Sequence, residues 1–583
     1  MKSGFEKAPF IAVSGSAEDC RIGWADVLES LRGAVSGGRT VICVECYPGV
    51  MVDEVERALT EGLRPSAVYR AHDCWKSPEE VEAMVARDLT DDPVFGRMNG
   101  LGIADFFDPR ALAHARDQVA GVSEGVVLVV GTGAALLCPE PDLLVYADLA
   151  RWEIQQRQRR NEIGNLGADN SKERPSLKYK RAFFVDWRAA DRLKKKLLPR
   201  LDYLLDTNDR NQPRLITGAM FRRGLREALK RPFSVVPFFD PGPWGGQWMK
   251  TVFGLPEDAP NYAWCFNCVP EENSLLLGFG HVRVEIPSID LVFLHPRELL
   301  GEEVYARFGA EFPIRFDFLD TMEGGNLSLQ VHPLTGYIQD KFGVPYTQDE
   351  SYYLLDAAPD GTVFLGLREG IDPATFFDDL TRSEERGQAF PVDKYVNQWP
   401  ARKHDHFLIP AGTIHCSGRN TVVLEVSATP YIFTFKLWDW NRLGLDGRPR
   451  PVHLAHGREN IQWDRTTGWV RRNLINRVEP LAAGPGWREE RTGLHELEFI
   501  ETRRCWFTGT APHDTEGGVH VVNLVEGDEV VVESPTHAFE PFVVHYAETF
   551  IVPAAVGPYT IRPHGPGAGK RCATLQAFVR KCS

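Results

Sequence analysis

Asn326-Leu327-Ser328-Leu329-Gln330-Val331-His332-Pro333 and, further along, Leu408-Ile409-Pro410-Ala411-Gly412-Thr413-Ile414-His415 decide how the larger part of this chain is read. Between them lies Asp349-Glu350-Ser351-Tyr352-Tyr353-Leu354-Leu355. Each is an apolar, strand-like run that delivers a polar side chain able to bind a metal. Alternate side chains of an extended strand share a face, so Gln330 and His332 point one way and Val331 the other. Glu350 opens a second strand, and His415 follows a Pro-Ala-Gly turn that feeds a third. Two imidazoles, a carboxylate and an amide oxygen suit a zinc ion that keeps an open position for water or substrate. A lone strand histidine is usually a packed core or surface residue. Three candidate ligand types on separate strands argue for a site.

The chain around these strings has 583 residues, 43% hydrophobic and 25% charged, which is ordinary for a globular protein of two or three domains. Its net charge of −14 argues against a general nucleic-acid or anionic-membrane partner, so any phosphate site must be a local basic cluster. No run of eighteen apolar residues is present, and Met1 to Val13 lacks a signal peptide's long apolar stretch. Eleven thinly spread cysteines argue against a disulfide framework, and the cytoplasm is the expected compartment. The pairs Cys43/Cys46 and Cys265/Cys268 lie far apart in apolar runs and are expected to be buried thiols rather than a four-cysteine zinc site.

The metal-ligand strings resemble those of the type I phosphomannose isomerases, zinc enzymes of the cupin fold, and occur in the same order along the chain. The resemblance runs almost continuously from about Pro237, through Pro243-Trp244-Gly245-Gly246 and Phe312-Pro313-Ile314-Arg315-Phe316-Asp317-Phe318-Leu319-Asp320. It implies a zinc-dependent aldose–ketose isomerase that interconverts mannose 6-phosphate and fructose 6-phosphate through an enediol, with Gln330, His332, Glu350 and His415 holding the metal. It also implies that Glu425 and Lys436, on the strands after His415, are catalytic residues that handle the proton and bind the phosphate beside the substrate, with Arg442 a third catalytic candidate as a second cation for the phosphate. Two departures stand out. Lys436 replaces an Arg usual in that family, giving up a bidentate fork. Thr347-Gln348-Asp349-Glu350 stands where bacterial members have Gly-Lys-Thr-Glu, removing a Lys. These departures keep open a non-catalytic sugar-phosphate-binding regulator. An iron-dependent cupin oxygenase is also open on ligand type, although such enzymes usually present His-x-His where this chain has Gln330.

The first part of the chain alternates apolar runs with helical patterns: Phe10–Gly15, Thr40–Cys46, Gly125–Val130 and Leu143–Ala147 read as strands of a parallel, doubly wound sheet. Leu101 to Pro109 and Pro141 to Asp148 resemble P-loop kinases of the uridine kinase type. Placed on Gly15 to Ile22, the phosphate loop is degenerate: Cys20 stands for the second Gly, Arg21 for the Lys and Ile22 for the magnesium hydroxyl. Arg192 to Lys196, interleaved with leucines, reads as an amphipathic helix. The expected fold is therefore multidomain. A degenerate P-loop-like α/β domain over 1–212 precedes a zinc-binding cupin (jelly-roll) domain over 213–480, with a helical insertion at about 370–400, and a smaller cupin-like β domain over 481–583. The expected partner is a small sugar phosphate.

Overall fold

The computed structural model describes residues 4–35, 37–428, 431–493 and 495–581. The chain divides into two compact units. An α/β unit comprises Phe10–Ala228 and Ser274–Leu294, and a β unit takes Leu229–Asn273, the chain from His295 onward and the segment ending at Pro9.

The α/β unit is built on a seven-stranded sheet. Five parallel strands lie in the spatial order Ala67–Arg70, Gly125–Gly131, Arg39–Cys46, Leu143–Asp148 and Tyr203–Asp206. Val41 to Val44 and Val127 to Val130 are all buried, as expected for central parallel strands covered on both faces. The helix Pro78–Leu89 starts with a Ser77/Glu80 capping box, and Val52–Leu63 buries Val55 and Leu59. Arg214–Thr217 and Arg21–Ile22 extend the sheet antiparallel at one edge.

Two expectations are corrected here. Phe10–Ala12 is not the first strand of this sheet. It is three residues long with only Ile11 buried, and it pairs with Ser274–Phe279, which pairs with Val282–Pro287 in a separate three-stranded sheet. Arg39–Cys46, eight residues long, occupies the centre instead. Gly15 to Ile22 consequently does not follow the central strand. It forms a 3-10 turn capped by Ser16 and Asp19 and then the edge strand Arg21–Ile22. The chain that does follow the central strand, Tyr47-Pro48-Gly49-Val50-Met51-Val52-Asp53, has no Gly-Lys-Ser/Thr. Residue 212 falls between two strands that pair with each other, and Ser274–Leu294 returns to this unit.

Ligands of doubly wound sheets bind beyond the carboxyl ends of the strands, where the strand order reverses. Here that region is filled by side chains of the unit itself. Lys194 Nζ lies 2.6 Å from both Asp148 and Asp290, Arg151 donates to Asp191 at 2.7 Å, and Tyr47 donates to Asp191 at 2.9 Å. Glu45 accepts from the backbone of Gly133 and Ala135. Lys194 belongs to the expected amphipathic helix, Trp187–Leu197, but is fully buried because these two carboxylates compensate it.

The β unit contains two pairs of antiparallel sheets. In the first pair, the six-stranded sheet carries Glu350–Ala357, Thr421–Ser427 and Arg315–Asp320 side by side, and the five-stranded sheet carries His415–Ser417, Leu329–Val331 and Phe435–Trp438 side by side. The helical insertion is Pro373–Arg386, capped by Asp372 and buried through Phe376, Phe377 and Leu380, followed by Val392–Tyr395. The strand pattern resumes at Val396–Pro400, earlier than the helical period suggests, because that segment pairs with Thr362–Leu367. The second pair comprises a six-stranded sheet from Glu479–Gly484 to Cys572–Val579 and a four-stranded sheet around Pro558–Pro563, enclosing Val522, Leu524, Val530, Phe550 and Ile561. Cys43, Cys46, Cys265 and Cys268 are buried free thiols, one pair in each unit.

Candidate metal centre

Gln330 sits mid-strand, opposite His415 on one side and Lys436 on the other, so all three share one face of the sheet. His332 follows at the strand's end. The turn before His415 needs its glycine: Gly412 has φ +87°, and a Cβ there would lie 2.9 Å from the Asn460 carbonyl. Gly412 donates its N–H to the His332 carbonyl at 3.0 Å, tying the two ligand-bearing segments together. Arg465, buried, clamps the same turn through the carbonyls of Pro410 and Ala411 and the Thr413 hydroxyl.

His332, Glu350 and His415 converge with their ligand atoms within 4.8 Å of one another. His332 Nε2 is 3.0 Å from Glu350 Oε2, and His415 Nε2 is 2.8 Å from Glu350 Oε1. Each ring is fixed from behind. His332 Nδ1 meets the Phe433 carbonyl at 2.7 Å and His415 Nδ1 the Thr413 carbonyl at 2.9 Å. A carbonyl only accepts, so both Nδ1 atoms carry the proton and a neutral ring directs its Nε2 lone pair at Glu350. Lone pairs facing a carboxylate in a buried site require a proton or a cation between them. His332 Nε2 and Glu350 Oε1 have no hydrogen-bond partner of their own. Burial opposes charging these groups, yet Glu350 raises the His332 pKa, and the two imidazoles hold Glu350 well below the usual carboxylate range. The donor set fits a divalent cation held by three residues, with the Gln330 amide 3.2 Å from His415 Nε2 as the fourth. Exchanging the amide's O and N positions presents its oxygen there.

Gln348, noticed in the sequence only as a missing Lys, is the hub behind this group. Its amide donates to Glu350 Oε2 at 3.1 Å and to Glu425 Oε1 at 3.4 Å, and its oxygen accepts from Phe433 N at 2.7 Å. One side chain thus ties Glu350 to the residue whose carbonyl orients His332. Glu425 lies beside Asp317 and Tyr352 by strand register, with 5% of its surface exposed. Burial first, then the charges of Asp317 and Glu350, push its pKa well above the carboxylate range.

Arg442 is tied to Asp439 at 2.7 Å and to the Asn326 carbonyl. Arg450, which no strand or helix pattern singles out in the sequence, reaches the same Asp439 at 3.2 Å and Ser328 Oγ at 3.2 Å. Two guanidinium groups on one carboxylate leave a net positive charge beside Ser328, two residues before Gln330 on the same strand edge.

Paired antiparallel sheets enclosing a His–Glu–His group, in a multidomain chain, are consistent with a cupin-type isomerase. The chain is 25% identical over 347 residues to the mannose-6-phosphate isomerase ManA of Bacillus subtilis strain 168, spanning 58% of this chain and 95% of that protein. It is also 25% identical over 322 residues to the mannose-6-phosphate isomerase of Streptococcus mutans, spanning 54% and 89%. Among solved structures, the mannose 6-phosphate isomerase of Bacillus subtilis aligns with a TM-score of 0.49 at 18% identity, over 60% of this chain and 99% of that one. The curated relatives and structural neighbours are named mannose-6-phosphate or phosphomannose isomerases. A domain of unknown function (DUF8485) matches residues 23–230, ending close to Ala228, the end of the first α/β segment.

Proposed function

We propose that this protein is a zinc-dependent aldose–ketose isomerase that interconverts mannose 6-phosphate and fructose 6-phosphate through an enediol. The observation that carries this reading is the convergence of His332, Glu350 and His415, with both imidazoles oriented by backbone carbonyls. Zinc held by these residues and Gln330 supplies Lewis acidity toward the sugar's carbonyl and hydroxyl oxygens. Lys436, across the strand from Gln330, presents a positive charge on the ligand face and meets the sugar-phosphate oxygens. Arg442 and Arg450 supply the excess positive charge for the phosphate. Glu425 is a positioning residue, acting on Glu350 through Gln348. The phosphate contributes remote binding energy that places C1 and C2 for proton transfer. The α/β unit has an assembly role and turns over no nucleotide, because the region beyond its central strand is filled by Lys194, Asp148 and Asp290.

A coupled assay tests this directly. Mannose 6-phosphate should be converted at a rate far above that of unphosphorylated mannose. The substitution of Gln348 for the usual Lys favours one other reading, a sugar-phosphate binder without turnover. Binding of mannose 6-phosphate by zinc-loaded protein that shows no isomerisation would establish that reading instead.

A further inference from the structure

The C-terminal pair of sheets carries a polar layer for which the proposed reaction has no use. Directly opposed residues of antiparallel strands share a face, so the register reveals the inner surface. On Ile500–Phe507 the inward residues run Phe507, Cys505, then Arg503 and Glu501, and on Cys572–Val579 they run Cys572, Thr574, then Gln576 and Phe578. On His520–Glu526 they run Leu524, Val522, then His520, and on Trp487–Gly493 they run Trp487, then Glu489 and Arg491. In the facing sheet, Ala511 and Ile561 give way to His513 and Tyr559. Toward one end of the two sheets these strands carry polar residues on that face, and residues of five of them line a cavity of 1110 Å³ bounded on one side by Val304, Ala306 and Arg307.

The polar groups are arranged for a neutral ligand. Arg503 pairs with Glu501 at 2.7 Å, Arg491 with Glu479 at 3.1 Å and Glu501 at 3.4 Å, and Lys581 with Glu516 at 3.5 Å; with Arg307 and Arg580 set against Glu303, Glu489 and Asp514, acids and bases around the cavity balance in number. The floor is uncharged. His520 Nδ1 lies 3.0 Å from the Tyr559 hydroxyl, which donates to Gln576 Oε1 at 3.4 Å, and the Gln576 amide nitrogen lies 3.5 Å from His520 Nε2. Burial lowers the pKa of His520 to about 3 and that of His513 to about 4, keeping both neutral. His513 Nε2 is buried with no hydrogen-bond partner. Leaving a buried polar atom unpaired is costly, so a layer retained in this form points to something that pairs with it. Hydroxyl groups both donate and accept, and so match mixed imidazole, amide and carboxylate groups, while Val304, Ala306 and Phe578 offer apolar surface to C–H faces.

We propose that this cavity binds a neutral polyhydroxylated small molecule, a free sugar or polyol, at a site separate from the metal centre. Calorimetric titration of the full chain with D-mannose, D-fructose, myo-inositol and inorganic phosphate tests it. The titrations use the wild-type protein and a His332→Ala/His415→Ala variant in which the metal centre is dismantled. The expected result is saturable binding of at least one uncharged probe to both proteins, weakened at least tenfold by Gln576→Leu, with phosphate silent. Phe578→Ala, at a partly exposed position, provides the same readout if Gln576→Leu does not fold. Failure of every uncharged probe to bind the double variant, unchanged affinity in Gln576→Leu or Phe578→Ala, or preferential binding of phosphate would each overturn the proposal. Because the double variant removes the metal centre, failure here is distinct from failure of the isomerase reading.

Discussion

In the first pair of sheets, inward positions on Leu329–Val331, Glu350–Ala357 and His415–Ser417 aim ligands at one point. In the second pair, polar side chains toward one end of five strands instead spread around a cavity. Both pairs of sheets are built from apolar residues and reserve a polar region, but they satisfy it differently. The first concentrates unpaired acceptors, His332 Nε2 and Glu350 Oε1, which a cation can satisfy together. The second pairs Arg503 and Arg491 with glutamates and keeps His520 and His513 neutral. What distinguishes a metal centre from a polar pocket is thus convergence of unpartnered lone pairs, because burying polar groups alone produces either outcome.

The largest effect that sharpens this contrast is loss of the metal. Purified protein is expected to carry about one zinc per chain, all of it in the first pair of sheets. His332→Ala/His415→Ala should abolish it and lower isomerase turnover by about a thousandfold or more. Zinc retained by that variant, measured by elemental analysis, would place metal outside the first pair of sheets and erase the distinction. A step smaller, Gln348→Leu removes the tie between Glu350, Glu425 and the backbone that carries His332. Zinc affinity should fall by about 10–100-fold, the usual consequence of removing an orienting partner. Competition with a chromogenic chelator measures this, and an unchanged affinity would leave Gln348 as packing only. Smaller again, Lys436→Ala should raise KM for mannose 6-phosphate about tenfold while zinc content stays the same, with Lys436→Arg retaining most of the affinity. An equal change in kcat with KM fixed would move Lys436 from binding to the chemical step.

The ligand strings were legible because each is local: strand alternation and a Pro-Ala-Gly turn fix where Gln330, His332 and His415 stand. Gln348 was visible only as an absence, since two of its three hydrogen bonds reach residues 425 and 433, far along the chain. Phe10–Gly15 reads as a strand of the α/β sheet because Phe10–Ala12, like Arg39–Cys46, is an apolar run. Strand length and the exposure of Phe10 separate them, and exposure depends on pairing with the distant Ser274–Phe279. The second polar layer left no mark in one dimension. Arg503, Gln576, His520 and His513 lie on four strands far apart in the chain, and only the strand pairing brings them to one end of the sheets.

That layer also predicts a difference in acid sensitivity. His520 is 5% exposed and titrates near 3 in the fold, against about 6.5 in an unfolded chain. A histidine with a depressed folded pKa favours the fold fully above about pH 6.5. As pH falls from there toward about 3 the unfolded chain binds the proton first, and that contribution is lost. At pH 5 the loss is about 2 kcal/mol, from roughly one and a half pH units at about 1.4 kcal/mol each. Hydrogen exchange of Cys572–Val579 should therefore quicken between pH 7 and pH 5, after correction for the intrinsic rate, in wild type. In His520→Phe, which cannot titrate, that acceleration should shrink. An equal acceleration in both proteins would mean that His520 does not drive acid opening of the second pair of sheets.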